Sequence, residues 1–363
     1  MSVVYKKLEE VCEILDSQRI PITAKDRKAG QYPYYGANGL QDYVAEYIFD
    51  DELVLLAEDG GNFGSTDRPI AYRVSGKCWV NNHAHVLKAK SCIDIDYLGY
   101  SLMFYDTSGL VNGATRQKLT QAAMREMKIP YRNSDEQKEI VKKIDGVFCL
   151  IEKRQLELHH LDQLVKSRFV EMFGKIKHED SLENLCRFID YRGKTPEKTD
   201  MGLPFITAKN IRMHHMSFET QEFISKETYD KVMTRGFPRV GDVVFTTEAP
   251  LGNVCRIPSI DTEFYIGQRI ITMQTDSLEP AYLEYALASN EFRKKLDAKA
   301  SGSTVTGIRS KLLEKLTIPV PPLELQNRFA AFVSEVDKSK LAVKQSLEKL
   351  ETLKKSLMQQ YFG

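Results

Sequence analysis

Polar and basic side chains gather in both halves of the sequence, in segments whose Gly, Asn and Thr content predicts loops. Arg, Lys, Asn, Gln, Ser and Thr can hydrogen-bond base edges, and Lys and Arg also hold phosphates. The candidates in the first half are Lys25, Arg27, Lys28, Tyr34, Asn38, Asn62, Arg68, Asn81, Asn82, His83 and His85. Those in the second half are Arg192, Lys194, Lys198, Thr207, Lys209, Asn210, Arg212, Thr246, Thr247, Asn253, Gln268 and Arg269. A single residue of this kind is usually solvated surface, so the grouping is what indicates nucleic-acid binding.

The sequence lacks the motifs of catalysis. It has no Walker A phosphate loop and no G-x-G-x-x-G after a strand. It also lacks the Asn-Pro-Pro-aromatic or Asp-Pro-Pro-aromatic box of amino-group DNA methyltransferases. The pairs His83/His85 and His214/His215 have no evident third ligand, so we expect no metal site. We align Glu58 with Glu248 and expect both to be structural hydrogen-bond acceptors.

The composition bounds the class of protein. A chain of 363 residues with 42% hydrophobic and 28% charged residues is typical of a globular protein with two domains. No apolar run approaches the roughly 18 residues of a membrane span, and the start lacks the apolar stretch of a signal peptide. We therefore expect a cytoplasmic protein with no membrane partner. The six cysteines form no C-x-x-C pair and are expected to be buried, reduced thiols.

The elements that must position these residues repeat along the chain. Residues 113–130 (GATRQKLTQAAMREMKIP) resemble residues 302–319 (GSTVTGIRSKLLEKLTIP), which begin 189 positions later, and this register holds without a gap to the end. Upstream, LEEVCEILD (residues 8–16) resembles LENLCRFID (residues 182–190). The repeat predicts four segments: globular domains over 1–130 and 175–319, alternating with helical segments over 131–174 and 320–363.

The helical segments predict long helices. Ser134 with Gln137 has capping-box form, and Pro321-Pro322 suits a helix start. Apolar residues then recur at steps of four and three, which is typical of a coiled-coil seam. Residues 134–173 would span about 60 Å as a helix. We favour an intramolecular, antiparallel coiled coil with internal pseudo-twofold symmetry, and an ordinary bundle or a homodimeric zipper is the alternative.

The globular segments mix both element types, so the fold class is α+β. Short amphipathic runs cover residues 8–15 and 182–189. Strands are predicted over 52–57, 79–88, 242–247 and 266–272. Helices are predicted over 97–105 and 281–295.

With this order established, the chain resembles the specificity subunits of type I restriction–modification systems. The resemblance covers essentially the whole chain. It is carried by KLTIPVPPLELQNRF (residues 315–329), RFIDYRGKTPEK (residues 187–198) and the repeated ending with Phe173-Gly174 and Phe362-Gly363. The first copy departs from the family pattern, because Tyr131-Arg132-Asn133 replaces the prolines.

The resemblance implies that each globular segment is a target recognition domain for one half of a bipartite, asymmetric DNA site. Two modification subunits carrying S-adenosylmethionine would methylate adenine, and restriction subunits using ATP and Mg would cut unmodified DNA. The chain itself would hold no cofactor and would not be an enzyme, whereas the complex would be a DNA adenine methyltransferase and type I site-specific deoxyribonuclease. The alternatives are a recognition subunit of a IIB- or IIG-like system and a coiled-coil interaction scaffold.

Overall fold

A computed structural model describes residues 3–113, 117–191, 195–267, 269–302 and 305–363. The chain divides into two compact units. The first consists of Met1–Leu156 and Lys344–Gly363, and the second of Glu157–Val343. Each unit therefore contains a globular part and portions of both long helices.

The globular part of the first unit is built on one six-stranded sheet. The strands of this unit are β1 (Val4–Lys7), β2 (Cys12–Ile14), β3 (Ala29–Gly36), β4 (Gly39–Val44), β5 (Phe49–Ala57), β6 (Ala71–Val80), β7 (Ala84–Ala89), β8 (Val111–Asn112), β9 (Lys118–Leu119) and β10 (Lys128–Tyr131). Its helices are α1 (Leu8–Val11), a 3₁₀ turn (Asp16–Gln18), α2 (Ile95–Met103), α3 (Gln121–Arg125) and the start of α4 (Ser134–Phe173). The sheet order is β2-β7-β5-β6-β3-β4, and β3 and β6 are parallel.

Strand β5 is central because both of its faces are apolar. Leu53 and Leu55 pack with one buried cluster, and Val54 and Leu56 pack with another that includes α2. This alternation follows from the two-residue period of a strand. Each such fully buried side chain contributes about 1.5–3 kcal/mol of hydrophobic stabilisation.

The second unit has smaller sheets. Its strands are β11 (Glu179–Ser181), β12 (Arg187–Asp190), β13 (Leu203–Ile206), β14 (Ile211–Arg212), β15 (His215–Met216), β16 (Phe223–Ile224), β17 (Val243–Thr246), β18 (Val254–Arg256), β19 (Tyr265–Ile266), β20 (Ile270–Gln274) and β21 (Thr317–Pro319). Its helices are α5 (Leu182–Leu185), α6 (Lys226–Val232), α7 (Pro280–Leu287), α8 (Asn290–Lys299), α9 (Ser310–Leu313) and the start of α10 (Leu323–Phe362). The main sheet has the order β12-β20-β17-β18.

Both predicted long helices are confirmed, since α4 and α10 each run for 40 residues. In the first unit, Phe362 at the end of α10 contacts Tyr97 of α2, with ring centroids 5.2 Å apart. In the second unit, Phe169 and Phe173 at the end of α4 contact Phe329 at the start of α10, at 5.5 Å and 5.4 Å. Aromatic contacts thus involve the end of α10 in the first unit, and the end of α4 and the start of α10 in the second.

Two lysines interrupt the apolar stripe of α10 without leaving a buried charge unpaired. Lys340 forms a 2.6 Å ion pair with Asp162 of α4 in the second unit. In the first unit, the Lys354 ammonium lies 5.6 Å from the ring centroid of Phe148. Their stems cover apolar surface while the charged ends reach a partner.

A buried glutamine ties the start of each long helix to the N-cap of an earlier helix, α2 in the first unit and α7 in the second. Gln137 and Gln326 are both 1% exposed. The side-chain carbonyl accepts from the N-cap backbone N–H, that of Asp94 at 2.7 Å in the first unit and that of Glu279 at 2.9 Å in the second. Each side-chain amide also donates, at 2.8 Å, to a backbone carbonyl just before its own helix. These two bonds are the same in both units, and Gln137 also donates to the Cys92 carbonyl at 3.3 Å.

Three expected elements are divided in the structure. The strand expected over 79–88 is wrong: β6 and β7 flank β5, and the Asn81 side chain accepts from the His83 N–H at 2.8 Å to form the turn between them. The strand expected over 266–272 is split into β19 and β20. The helix expected over 281–295 is split into α7 and α8, because Ser289 caps α8 by accepting from the Phe292 N–H.

Two further features bear on the expectations from composition. Among the described residues, no helix is long and apolar enough to cross a membrane. All six cysteines are free thiols, but Cys149 is exposed and Cys92 is half-buried, so the expectation of burial is wrong for these two.

Candidate nucleic-acid interface

In the first unit, Asn38, Asn82 and His83 lie at one edge of the six-stranded sheet. Asn38 follows β3 and donates to the Gly60 carbonyl at 3.0 Å. Asn82 is exposed in the turn between β6 and β7, and the neighbouring His83 Nδ1 lies 2.6 Å from the carboxylate of Asp59. Backbone hydrogen bonds join residues 58–60, 81–83 and 117–119, and the Asn38 side chain joins residue 38 to them. We call these residues the first reading edge, after the DNA contact that the sequence predicts for them.

The other candidates of the first unit with solvent access lie elsewhere. Lys25, Arg27 and Lys28 precede β3, at the opposite end of this strand from Asn38. The Arg27 guanidinium lies 4.1 Å from the ring centroid of Tyr34. Asn62 and Arg68 lie in the loop that follows the first reading edge, between β5 and β6. The structure therefore does not bring the basic run 25–28 to the edge.

Six candidates are buried, which corrects the expectation that they contact DNA. They are Tyr34, Asn81, His85, Asn210, Thr246 and Thr247. A side chain without solvent access cannot hydrogen-bond a base or a phosphate, so these residues hold loops instead. Asn210 Nδ2, for example, donates to the carbonyls of Ser217 and Thr220 at 2.9 Å and 2.8 Å.

His85 is the centre of a buried ionic cluster beneath the first reading edge. Its Nδ1 lies 2.6 Å from Asp16 Oδ2 and its Nε2 lies 2.9 Å from the Leu119 carbonyl. Both partners are oxygen acceptors, so the ring lies between two groups to which its nitrogens can donate. Arg19 completes the cluster with a 2.7 Å ion pair to Glu58.

The carboxylates of this cluster are stabilised in their ionised form. Burial acts to raise the pKa of Asp16, but His85, the Val86 N–H and Arg19 together outweigh it and the pKa is lowered. Burial likewise opposes ionisation of Glu58, and hydrogen bonds from Arg19 and Lys118 lower its pKa. Opposite charges close to a carboxylate favour its charged form.

Asp16, Glu58 and His85 also have the side-chain types of a metal site, and their ligand atoms lie within 4.8 Å of one another. The Arg19 guanidinium, however, already lies 3.4 Å from Asp16 and 2.7 Å from Glu58. This fixed cation compensates the two carboxylates and would repel a metal ion at the same place. We therefore interpret the three residues as part of an ion-pair cluster.

In the second unit, exposed candidates surround the hairpin of β14 and β15. Arg212 and Lys209 are exposed on or beside it, and Asn253 Nδ2 donates to the Ile211 carbonyl at 2.9 Å. Arg269 is exposed and forms a 2.8 Å ion pair with Glu248. The remaining candidates are Lys198, which pairs with Glu222, and Thr207, which is half-buried.

A buried glutamate holds this hairpin from below. Glu284 of α7 is 1% exposed, and its carboxylate lies 2.8 Å from His214 Nδ1 and 2.6 Å from Arg256 Nε. The His214 ring also stacks on Tyr285, with centroids 4.2 Å apart. Our sequence analysis missed this pair, although a lone Glu in the apolar run AYLEYALA predicts a partnered buried charge.

Backbone contacts correct the alignment of the two units. The Leu119 N–H donates to the Glu58 carbonyl at 2.7 Å, and the Ile308 N–H donates to the Thr247 carbonyl at 3.0 Å. Leu119 and Ile308 are 189 positions apart, the offset of the repeat, so Glu58 corresponds to Thr247. The alignment of Glu58 with Glu248 is therefore wrong by one residue. Glu58 nonetheless accepts structural hydrogen bonds, as expected.

Three of the predicted residues, Arg192, Lys194 and Gln268, lie outside the described residues. For the exposed candidates, contact with DNA stays a prediction.

Comparisons with known proteins agree over most of the chain. A family model described as type I restriction modification DNA specificity domain matches residues 2–160 and 181–353. A putative type I restriction enzyme specificity subunit of Haemophilus influenzae is 26% identical over 354 residues, which cover 92% of this chain and 88% of the relative. The MjaVIII type I restriction enzyme specificity subunit of Methanocaldococcus jannaschii is 22% identical over 394 residues, covering 97% and 90%.

Two solved structures have a similar fold. The S subunit of a type I restriction–modification system from M. genitalium superposes with a TM-score of 0.60 at 14% identity, covering 100% of this chain and 96% of that one. A chain from a structure that addresses complex assembly and conformational transition of the type I restriction–modification system superposes with a TM-score of 0.58 at 17% identity. The match covers 100% of this chain and 99% of that one.

Proposed function

The chain belongs to the family of type I restriction–modification DNA specificity subunits and has a DNA sequence-specificity role, and from this we propose that its two units read the two halves of a bipartite, asymmetric site. The observation that carries the proposal is the contrast inside the repeat. Two hydrogen bonds of the buried glutamine are the same in both units, whereas the exposed loops differ in residues and in contacts. A shared frame with divergent loops suits two readers with different targets.

The long helices would act as the spacer between the readers, paired as an antiparallel coiled coil with pseudo-twofold symmetry. The proposal is supported by the contacts inside each unit. The start of α4 and the end of α10 belong to the first unit, whereas the end of α4 and the start of α10 belong to the second. This reversed order is what antiparallel helices require.

The chain would select the DNA sequence, and its partner subunits would carry out the reactions. Two modification subunits with S-adenosylmethionine would methylate adenine in each half-site, and restriction subunits with ATP and Mg would cut unmodified DNA in the cytoplasm. Polar residues of both units are held in ion pairs, as His83 is with Asp59 in the first and Arg269 is with Glu248 in the second. Such groups can bind and orient DNA but include no activated nucleophile.

The test combines a methyl-transfer assay with an exchange of readers. The purified chain should transfer no methyl group from S-adenosylmethionine to DNA, and the chain with its modification subunit should methylate one bipartite motif in genomic DNA. Replacing residues 1–112 with the corresponding segment of a relative should change one half of that motif and leave the other unchanged. Transfer by the chain alone, or a change in both halves, contradicts the proposal.

A further inference from the structure

The cluster around His85 joins segments that are far apart in sequence. The His85 ring donates to the 3₁₀ turn through Asp16 and to the segment 117–119 through the Leu119 carbonyl. Arg19 also donates to the Ala84 carbonyl at 2.7 Å while it pairs with Glu58 at the end of β5. Four segments are therefore held together at a point that is closed to solvent.

These segments carry the first reading edge. Glu58 and Asp59 donate their backbone N–H groups to the His83 carbonyl at 2.9 Å and 3.4 Å. Glu58 also accepts from the Leu119 N–H, and its carboxylate pairs with Lys118 at 3.0 Å. The backbone around the turn at 81–83 is thus positioned by residues that His85 and its partners fix in place.

At the position that matches His85, the second unit has an aliphatic residue. In the corrected alignment, Leu56 corresponds to Phe245, and the partners of these residues across the sheet are His85 and Ile271. Both residues are 0% exposed, so an imidazole occupies in one unit the place of an aliphatic side chain in the other. Asp190, which corresponds to Asp16, pairs in register with Ile271. A strand pair at this position therefore does not need a histidine to form.

We infer that His85 is a positioning residue of the first reader: with Asp16, Glu58 and Arg19 it fixes the backbone of the first reading edge and so determines how sharply this unit discriminates its half-site. The inference rests on the proposed function of that unit. His85 itself does not contact DNA. Its effect on recognition is confined to the half-site of the first unit, because the second unit builds the same place from Ile271.

The test uses His85→Ile, which imports the residue of the second unit, with Ile271→Val as the matched control in that unit. The full-length His85→Ile chain with its modification subunit should methylate a motif in which the half-site of the first unit has become degenerate. We expect a loss of discrimination of about tenfold, which is the amount one base contact supplies. The other half of the motif should be unchanged, and Ile271→Val should leave both halves intact.

Hydrogen exchange of the full chain gives a second readout that does not depend on methylation. In His85→Ile the amides of Glu58 and Leu119 should exchange faster, whereas the amide of Ile308, which makes the equivalent bond in the second unit, should be unchanged. His85→Gln can still donate to the Leu119 carbonyl, so it should restore part of the protection and of the discrimination. It also replaces His85→Ile if that variant does not fold.

The outcomes separate the two hypotheses. If the unaltered chain and its partner methylate no bipartite motif, the proposed function is wrong. Hydrogen exchange at the amides of Glu58 and Leu119 then still tests whether His85 fixes the backbone of the first reading edge. If a folded variant keeps both halves of the motif sharp and both amides protected, His85 is not a positioning residue. Equal degeneracy of both halves would also overturn the inference, because it would indicate a general loss of stability.

Discussion

The two units have the same frame but keep their buried charge in different places. In the first, the buried ions lie beneath the reading edge, around His85. In the second, Ile271 occupies that position and the buried ion is Glu284, beneath the hairpin of β14 and β15. The comparison shows that the two units share their backbone contacts. The buried ion pairs differ, and each lies beneath the loops of its own unit, the first reading edge or the hairpin of β14 and β15.

Two arginines at matching positions show this difference directly. Arg73 and Arg256 occupy matching positions, since they pair across the sheet with Val54 and Val243. Arg73 pairs at 2.7 Å with Asp96, whose side chain is 42% exposed. Arg256 pairs at 2.6 Å with Glu284, whose side chain is 2% exposed. An arginine at the same position of the repeat therefore pairs with an exposed carboxylate in the first unit and with a buried carboxylate in the second.

The largest expected effect comes from breaking the buried pair. Glu284→Ala should lower the free energy of unfolding by about 3–5 kcal/mol, because it leaves Arg256 and His214 without their buried partner. Asp96→Ala, the matched change in the first unit, should cost less than about 1 kcal/mol, since exposed pairs contribute little. Urea denaturation of both variants measures the difference. Equal costs would mean that burial does not distinguish the two pairs.

The next effect tests the shared frame. Gln137→Ala and Gln326→Ala should each cost about 2–4 kcal/mol, because each leaves an N–H and a carbonyl, both at least partly buried, without the glutamine partner. The two costs should agree within about 1 kcal/mol, since these two bonds are the same in both units. Gln360→Ala, at an exposed position of α10, is the control and should change stability by less than about 0.5 kcal/mol. If the two glutamine variants differ by much more in their free energies of unfolding, the two junctions are not equivalent.

The smallest effect is a difference in acid response. The pKa of Asp16 is lowered in the folded state, so its stabilisation is present above its unfolded value of about 3.9 and is lost as pH falls through the folded value. Burial raises the pKa of Asp242 in the second unit, so its contribution has the opposite sign and becomes more favourable as pH falls. The advantage of the unaltered chain over Asp16→Asn should shrink between pH 6 and pH 3.

Asp242→Asn is the matched variant for this experiment. The advantage of the unaltered chain over it should grow across the same pH interval, because protonated Asp and Asn carry no charge. The midpoint of urea denaturation at each pH gives both slopes. Slopes of the same sign would show that the two carboxyl groups do not differ as their surroundings indicate.

Much of the fold could be predicted from the sequence. The start and end of α4 follow from Ser134, from the apolar stripe and from the glycine after Phe173, all of which act within a few residues. The repeat also located both helix starts correctly. Boundaries failed where a single side chain ends an element, as Ser289 does between α7 and α8.

The candidate site was predicted less well. Its residue types are correct for nucleic-acid contacts, but polar side chains in loops serve equally well as buried supports. Asn82 is exposed and Asn81, beside it, is 3% exposed, although both are asparagines in the same loop. The sequence alone offers no signal that separates them.

The sequence by itself determined the two long helices, the repeat and the membership of a DNA specificity family, because helix periodicity and repeated motifs are local and add up along the chain. The tertiary structure alone decided which polar residues face solvent and which form ion pairs. Asp16 and His85 are 69 positions apart, and His214 and Glu284 are 70 apart. Such pairs form only when folding excludes water around both groups, since burial makes an unpaired charge costly and so selects partners that local sequence does not specify.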